Sequence, residues 1–412
     1  MRREEQSLGV IVLFKVIEGF MKDFFAKIAS AVKAHKAGTV VIAVTAFVLV
    51  CAVVALACLG AFVFNRFATG FVPTDEQLAA INGNPAKQYK RVLIIGVDGM
   101  GDYMNRMDDG ATPNFDRLFG DGFTTANGTR INASVTHTGM AVYPTISAQN
   151  WTSMFHGVRP PYHGITGANS NTDLDAGKQA NEKYPSFIKV FLDANPDAKV
   201  LSSCTWSAVN NGAIEDLPQV TKLNNNCNTI QEVVKGDLVL GDVDLVHYIT
   251  QQTKVEGFAD ETYSLTDAIT VQRVIDETEN ADYKIAYMHL NQVDSAGHSY
   301  GNNKQAYIRA VSHVDLLIGK LYDAYESRGW LDDTLFILCT DHGHRYLQDG
   351  PGHGGNSTVE RTVTFAVAGK TVKQGTPGKY VNTDLAPIVA YALGLKAPET
   401  WQGRVPYNMF LD

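Results

Sequence analysis

Aspartate and histidine side chains follow three of the apolar runs in this sequence, and one more histidine lies shortly after the last of them. The six positions are Asp98, Asp294, His298, Asp341, His342 and His353. If those runs are parallel strands of one sheet, their carboxyl ends meet at one edge, which is where ligands bind in such sheets. Histidine nitrogen and carboxylate oxygen are donors that suit Zn²⁺. The sequence therefore predicts a metal site, and the number of donors favours two neighbouring ions.

The spacing within two pairs of these residues adds to the prediction. His298 follows Asp294 by four positions, so one helical turn would place both side chains on the same face. Asp341 and His342 are adjacent and project in different directions, so they could serve two nearby ions. The other histidines of this region lack such an arrangement and are expected to be structural. They are His137, His156, His163, His247, His289, His313 and His344.

The elements that would carry these residues alternate between two patterns. Strand-like apolar runs are predicted at 91–97, 199–203, 283–289, 334–340 and 362–367, and helical patterns at 113–120, 264–279, 303–328 and 383–393. This alternation predicts an α/β fold in which helices flank both faces of a mostly parallel central sheet. One domain is expected over residues 90–412, in which residues 170–265 could form loops or a small cap.

Composition and charge exclude several classes of protein. With 45% hydrophobic and 19% charged residues, the chain is neither a coiled coil nor mostly disordered. The 35 basic and 43 acidic residues give a net charge of −8. Because a nucleic-acid-binding domain usually carries a basic surface, binding to nucleic-acid duplexes is not expected.

An uncharged, apolar stretch at residues 37–65 predicts a transmembrane helix, because it exceeds the roughly 20 residues that span a bilayer. A cleaved signal peptide has a shorter apolar core, and a buried core helix rarely stays uncharged for this length. Lysines cluster in residues 1–36, so the positive-inside rule places this segment in the cytoplasm. Residues 66–89 would be a tether, and the catalytic domain would lie outside a cell membrane that the chain crosses once.

Cysteine usage fits an extracytoplasmic domain. Cys204, Cys227 and Cys339 lie beyond the predicted span and have no Cys-x-x-Cys spacing, so metal binding must use histidines and carboxylates. Cys204 and Cys227 could pair, since disulfides form in such a compartment. Cys339 ends an apolar run and is expected to be a buried free thiol.

Over residues 90–412 the sequence resembles the alkaline phosphatase superfamily, in its type I phosphodiesterase/nucleotide pyrophosphatase branch. The resemblance rests on Val-Asp-Gly at Asp98, Asp-Ser-Ala-Gly-His-Ser-Tyr-Gly from Asp294, Asp-His-Gly at Asp341, and His353. It implies the superfamily fold and two zinc ions per chain. One zinc would be held by Asp294, His298 and His353, and the other by Asp98, Asp341 and His342 together with the nucleophile.

The nucleophile segment of the family resembles Tyr143-Pro-Thr-Ile-Ser-Ala-Gln-Asn-Trp151. Pro144, Thr145 and Asn150 match the pattern Pro-Thr-x-Thr-x-Pro-Asn, which places Ser147 at the attacking position. Serine replaces threonine there, and glutamine replaces the second proline. A simpler interpretation, in which Thr145 or Ser147 caps a helix over 148–155, is compatible with catalysis, because a helix N-terminus also favours phosphate.

The family also implies an asparagine that binds a phosphoryl oxygen, downstream of His163-Gly-Ile. Direct counting reaches Ala168, so Asn169 is the favoured residue and Asn171 is the other possibility. The gap of eleven residues from His342 to His353 indicates a compact variant of the family.

These features together predict a membrane-anchored, two-zinc phosphoesterase. It would hydrolyse phosphodiester or pyrophosphate bonds through a phosphoserine, and its substrate would be a small phosphate ester or a lipid head group. The alternatives are a phosphomonoesterase or a membrane-surface phospho-group transferase of the same superfamily, and a non-catalytic binding ectodomain. A sulfatase is a poorer match, because Ser147 lacks the Cys/Ser-x-Pro-x-Arg context of the sulfatase nucleophile.

Overall fold

Continuous apolar runs allow the central strands to be buried on both faces. β1 (Arg91–Val97) and β7 (Thr334–Thr340) are strands of this kind. The computed structural model describes residues 89–107, 111–225, 261–346, 352–406 and 408–411, without the side chains of 261–264. The other strands are β2 (Phe123–Thr124), β3 (Arg130–Met140), β4 (Lys199–Cys204), β5 (Val220–Asn224), β6 (Tyr283–Leu290) and β8 (Thr362–Gly369).

Within the described residues, eight strands form one sheet in the order β2-β3-β8-β7-β1-β6-β4-β5. β5, β4, β6, β1 and β7 are parallel to one another. β8 runs antiparallel to β7, and β3 and β2 continue the antiparallel edge. The sheet is therefore mixed, and the prediction of a mostly parallel sheet was only partly right. Antiparallel neighbours need no helical crossover, and the described residues 352–361 ahead of β8 include His353, which lines the cleft.

Helices cover both faces of the sheet. They are α1 (Pro113–Phe119), α2 (Ser147–His156), α3 (Pro160–His163), α4 (Ser170–Asp175), α5 (Phe187–Ala194), α6 (Glu261–Asn280), α7 (Gln292–Tyr300), α8 (Gln305–Ser327), α9 (Thr358–Arg361) and α10 (Leu385–Ala392). α2, α5 and α10 pack on one face, and α1, α6 and α8 pack on the other.

Alternation along β1 separates the two hydrophobic cores. Val92 and Ile94 belong to the core beneath α2, whereas Leu93 and Ile95 belong to the core beneath α8. All four side chains are fully buried or nearly so. By the usual transfer value of about 25 cal/mol per Å² of buried apolar area, such residues dominate the stability of the fold. The sheet is thus a rigid platform whose strand ends can hold side chains in fixed positions.

Several predicted elements are present with nearly the predicted bounds. The strands at 91–97 and 334–340 match, and the strands at 199–203, 283–289 and 362–367 are each slightly longer. The helices predicted at 113–120, 264–279, 303–328 and 383–393 are α1, α6, α8 and α10. β2, β3 and β5 were not predicted. Within residues 170–265, expected to include loops or a small cap, the described part up to residue 225 contains α4, α5, the predicted strand β4 and the unpredicted strand β5.

The membrane segment predicted at 37–65 lies outside the described residues, as do the segment 1–36 and residues 66–88 of the tether. No helix in the described ranges is long and apolar enough to cross a bilayer. Cys204 and Cys339 are buried free thiols. The pairing considered for Cys204 is therefore wrong, and Cys227 falls outside the description.

Candidate active site and metal centre

Three donor side chains meet where β1 and β7 end. Asp98 follows β1, and Asp341 and His342 follow β7, its parallel neighbour. His342 Nε2 lies 3.6 Å from Asp98 Oδ1 and 3.2 Å from Asp341 Oδ2. Both of these carboxylate oxygens are buried, and no described residue donates a hydrogen bond to them. Unpaired anionic oxygens facing one ring nitrogen are the donor set that a divalent cation requires.

The other oxygen atom of the Asp98 carboxylate, and that of Asp341, accepts hydrogen bonds from the surrounding protein. Asp98 Oδ2 accepts hydrogen bonds from Trp151 Nε1 at 2.9 Å and from His289 Nε2 at 3.0 Å. Asp341 Oδ1 accepts from the backbone N–H groups of Gly99 at 3.0 Å and His342 at 2.9 Å. Bonds of this kind fix ligand orientation in metal sites.

The charges in the first donor group, which consists of Asp98, Asp341 and His342, favour a bound cation. Burial and the nearby charge of Asp98 raise the pKa of Asp341, because two carboxylates with no counter-ion repel each other. Burial and the neighbouring His353 lower the pKa of His342, which keeps its ring neutral. His342 Nδ1 lies 3.2 Å from the Gly343 carbonyl, and a proton there leaves Nε2 free to bind a metal.

A second group lies beside the first and contains four side chains that could hold a metal ion. Its members are Asp294, His298, His344 and His353. Asp294 and His298 are on α7, and His298 Nε2 lies 3.5 Å from Asp294 Oδ2 and 3.2 Å from His353 Nε2. The rings of His342 and His353 stack at 3.6 Å, so the two groups are direct neighbours.

His344, expected to be structural, lies inside this second group. Its Nε2 is 2.7 Å from Asp294 Oδ1, and its side chain is fully buried. Burial raises the pKa of Asp294, but the hydrogen bond from His344 and the charges of the three histidines outweigh it and lower the pKa below its usual range. His344 therefore fixes the orientation of Asp294. No local pattern in the sequence marked this contact, because Asp294 and His344 are 50 positions apart.

Gly99 allows the two groups to approach one another. Its φ of +68° is in the region that favours glycine, and a Cβ there would lie 2.8 Å from His344 Nε2 and from the Asp294 backbone. Any larger residue would push His344 and Asp294 away from Asp98.

Ser147 is the first residue of α2, and its Oγ lies 3.0 Å from His342 Nε2. It is 4% exposed and lines a cleft, so it lies beside the first donor group and faces the space that a substrate would enter. Ile146 is the N-cap residue and its side chain makes no capping hydrogen bond; the Ala148 N–H in the first turn donates instead to Asn171 Oδ1. The capping role considered for Thr145 or Ser147 is therefore wrong.

Thr145 instead joins the nucleophile segment to the loop that carries His353. Its hydroxyl donates to the Gly355 carbonyl and accepts from the Gly354 N–H, both at 2.9 Å. Its carbonyl oxygen lies 2.6 Å from His353 Nδ1, which leaves Nε2 pointing toward the second group. The same loop is held by Glu360, which accepts from the Gly355 N–H at 2.7 Å.

The cleft above the two groups has a volume of about 330 Å³. Besides donor residues and Ser147, it is lined by Asn171, Thr172, Asp175, Trp206 and Asn291. None of the described residues that line it is a lysine or an arginine.

The two candidate asparagines differ in their positions. Asn169 is exposed at the N-cap position of α4 and is not part of the cleft wall. Asn171 lines the cleft, and its Oδ1 accepts from the Ala148 N–H at 3.0 Å. Arg159, the nearest arginine in the sequence, does not line the cleft, and it donates from its backbone N–H to Gln402 Oε1.

The fold and the neighbouring donor groups define a phosphoesterase of the alkaline phosphatase superfamily. The solved structures that it resembles include a mutant of alkaline phosphatase PafA, with a TM-score of 0.55 and 13% identity over 79% of this chain and 99% of that one. Inactive murine ectonucleotide pyrophosphatase/phosphodiesterase 5 in complex with AMP has a TM-score of 0.51 and 12% identity over 75% and 96%. Within the superfamily, the chain belongs to the type I phosphodiesterase / nucleotide pyrophosphatase family, whose model matches residues 92–362.

The curated relatives add a different activity. The GPI ethanolamine phosphate transferase 2 of Aspergillus fumigatus is 27% identical over 151 residues. That match covers 33% of this chain and 19% of the relative, so the similarity spans about a fifth of the relative's length.

Proposed function

We propose that the protein is a two-zinc enzyme that cleaves phosphodiesters through a phosphoserine formed on Ser147. The observation that carries this proposal is the position of Ser147 Oγ, 3.0 Å from His342 Nε2 and beside the unpaired oxygens of Asp98 and Asp341. In this arrangement the first set, Asp98, Asp341 and His342 with Ser147, would hold one zinc. The second set, Asp294, His298 and His353, would hold the other.

Bound zinc would lower the pKa of the attacking hydroxyl and stabilise charge on the leaving oxygen. Ser147 Oγ attacks phosphorus and loses its proton to solvent, while the bond from phosphorus to one ester oxygen breaks. That oxygen leaves as an alcohol after taking a proton from water. Water then cleaves the phosphoserine, which restores the serine hydroxyl and releases a phosphomonoester.

The cleft wall supports a diester as the substrate. A monoester dianion is usually bound by a guanidinium, because arginine pairs with phosphate through two hydrogen bonds. The described cleft wall offers asparagine amides instead. Asn169 stays a prediction from the family pattern. We favour Asn171 as the partner of a phosphoryl oxygen, because it lines the cleft and bonds to the residue after Ser147.

A phospho-group transferase is the second candidate, and the names of the curated relatives favour it. The two activities share the formation of the phosphoserine. They differ in the second step, where an acceptor hydroxyl takes the place of water. A membrane anchor at residues 37–65, with the catalytic domain outside the cell, suits either activity and remains part of the proposal.

The test is turnover by the purified full-length chain in detergent with added zinc. Bis(p-nitrophenyl) phosphate should be cleaved several-fold faster than p-nitrophenyl phosphate, and p-nitrophenyl sulfate should be a poor substrate. Ser147→Ala should lose several orders of magnitude in rate, because the covalent intermediate cannot form. Ser312→Ala is the matched control, since that hydroxyl bonds within α8 to the Ile308 carbonyl.

A preference for the monoester would contradict the diesterase proposal, and full activity of Ser147→Ala would contradict the nucleophile. An added acceptor alcohol then separates the two candidates. A transferase should form a new diester with the alcohol, whereas a hydrolase should release only the monoester.

A further inference from the structure

The cleft contains one carboxylate that the donor groups do not use. Asp175 ends α4 and is exposed in the cleft wall. Its Oδ1 accepts from Ser207 Oγ at 3.2 Å and lies 3.5 Å from Asn211 Nδ2, while the Asn211 amide also donates to the Asp175 carbonyl at 3.0 Å. These bonds fix the carboxylate without neutralising it.

No described lysine or arginine forms an ion pair with Asp175. Lys178, three residues later in the sequence, pairs with Asp173 at 3.2 Å instead. The other two cleft aspartates, Asp98 and Asp294, belong to the donor groups, where bound cations would offset their charge. The negative charge of Asp175 can therefore interact with a cationic group of a molecule bound in the cleft.

An aromatic ring lines the same cleft as this carboxylate. Trp206 is half-buried in the cleft wall, and the residue that follows it, Ser207, is the one that bonds to Asp175. Its ring centroid lies 6.0 Å from that of His289, so the indole is supported by the residue that holds Asp98. An indole and a carboxylate in the wall of one cleft attract an ammonium group, the indole through its π face and the carboxylate through its charge.

We propose that Asp175 and Trp206 form a subsite for an ammonium group on the organic part of the substrate. The substrate class would be a phosphodiester of an amino alcohol, with either a primary or a quaternary ammonium. This inference rests on the proposed phosphodiesterase function, because the phosphodiester at Ser147 brings the ammonium into the same cleft. The phosphate would face the donor groups, and the cationic end would face Asp175.

Paired substrates test the subsite. The full-length enzyme is given p-nitrophenyl phosphorylcholine and its tert-butyl isostere, in which carbon replaces the ammonium nitrogen, and then p-nitrophenyl phosphorylethanolamine. The kcat/KM for the choline ester should exceed that for the isostere by about tenfold, which is the scale of a cation–π contact with added charge. Added salt should reduce this ratio, since the carboxylate is exposed.

Asp175→Asn should bring the ratio of the two kcat/KM values close to one, and Trp206→Phe should lower it partly. Asp173→Asn is the matched control, because it removes a carboxylate from the same helix that is already paired with Lys178. Its ratio should equal that of the wild type. A wild-type ratio near one, or an unchanged ratio in Asp175→Asn, would overturn the subsite.

A binding experiment distinguishes failure of the subsite from failure of the proposed function. The Ser147→Ala variant, loaded with zinc, is titrated with the choline ester and with the isostere, and tryptophan fluorescence gives the two dissociation constants. Tighter binding of the choline ester that Asp175→Asn abolishes supports the subsite even if neither ester is turned over. Equal binding of the two esters contradicts the subsite, whatever the enzyme hydrolyses.

Discussion

Thr145→Ala tests whether the nucleophile segment and the His353 loop act as one unit. The hydroxyl of Thr145 is fully buried and makes two hydrogen bonds to the loop, one to the Gly354 N–H and one to the Gly355 carbonyl. Alanine removes both bonds but keeps the backbone carbonyl that faces His353 Nδ1. The substitution therefore weakens the support of His353 without touching Ser147 or any of the other proposed metal ligands.

The size of the effect follows from these two bonds. Each hydrogen bond contributes about 1 kcal/mol net, and a buried N–H left without a partner adds to the loss, for a total of about 2–3 kcal/mol. A factor of ten in an equilibrium constant corresponds to about 1.4 kcal/mol. If this loss of free energy destabilises the conformation in which the His353 loop binds metal, zinc affinity at the second donor group falls by roughly 30- to 150-fold.

Competition with a chromogenic chelator measures this affinity on the full-length chain, beside the rate of diester cleavage at several zinc concentrations. The rate of Thr145→Ala should recover at high zinc, because the rest of the site is intact. Thr145→Ser is the control, since it keeps the hydroxyl and should bind zinc as the wild type does. Unchanged zinc affinity in Thr145→Ala would refute the reasoning, and a lowered rate that zinc does not restore would assign Thr145 to the substrate instead.

Other measurements test the rest of the site and the topology. His344→Ala should weaken zinc binding at the second group by about 10- to 100-fold, as loss of a residue that orients a ligand usually does, whereas equal affinity would make His344 structural. Purified protein should contain close to two zinc ions per chain by mass spectrometry, and chelation should abolish a rate that zinc restores. Ser147→Thr should retain activity, because the family pattern itself places threonine there. Protease added to intact cells should remove the catalytic domain, and complete protection of that domain would contradict the predicted topology.

The donor residues could be located from sequence because each follows a local signal. Asp98 and Asp341 come directly after apolar runs, and the turn from Asp294 to His298 is visible as a spacing of four. The structure brings these residues together because parallel strands end at one edge. The histidines that orient the carboxylates were missed for the opposite reason. His344 meets Asp294 across 50 positions and His289 meets Asp98 across 191, so no local pattern marks either contact.

The difference between local signals and contacts distant in sequence also explains why β3 and the direction of β8 were not predicted. β3 was missed because Arg130–Met140 mixes small and polar residues with few large apolar ones, and its burial depends on pairing with β8. The direction of β8 could not be read from its apolar run either. A buried strand has the same composition in either orientation, and only the route of the chain between β7 and β8 sets the antiparallel pairing.

The helix that begins at Ser147 has no face toward solvent, since all ten of its residues are buried. An element of this kind does not open by itself, because each outward movement would expose core residues such as Trp151 and Phe155. Its amide protons should therefore exchange with solvent only when the whole domain unfolds, among the slowest in the molecule. The hydroxyl of Ser147, the proposed nucleophile, is thus protected by the global stability of the fold, and heat or denaturant should abolish catalysis and unfold the domain in a single transition.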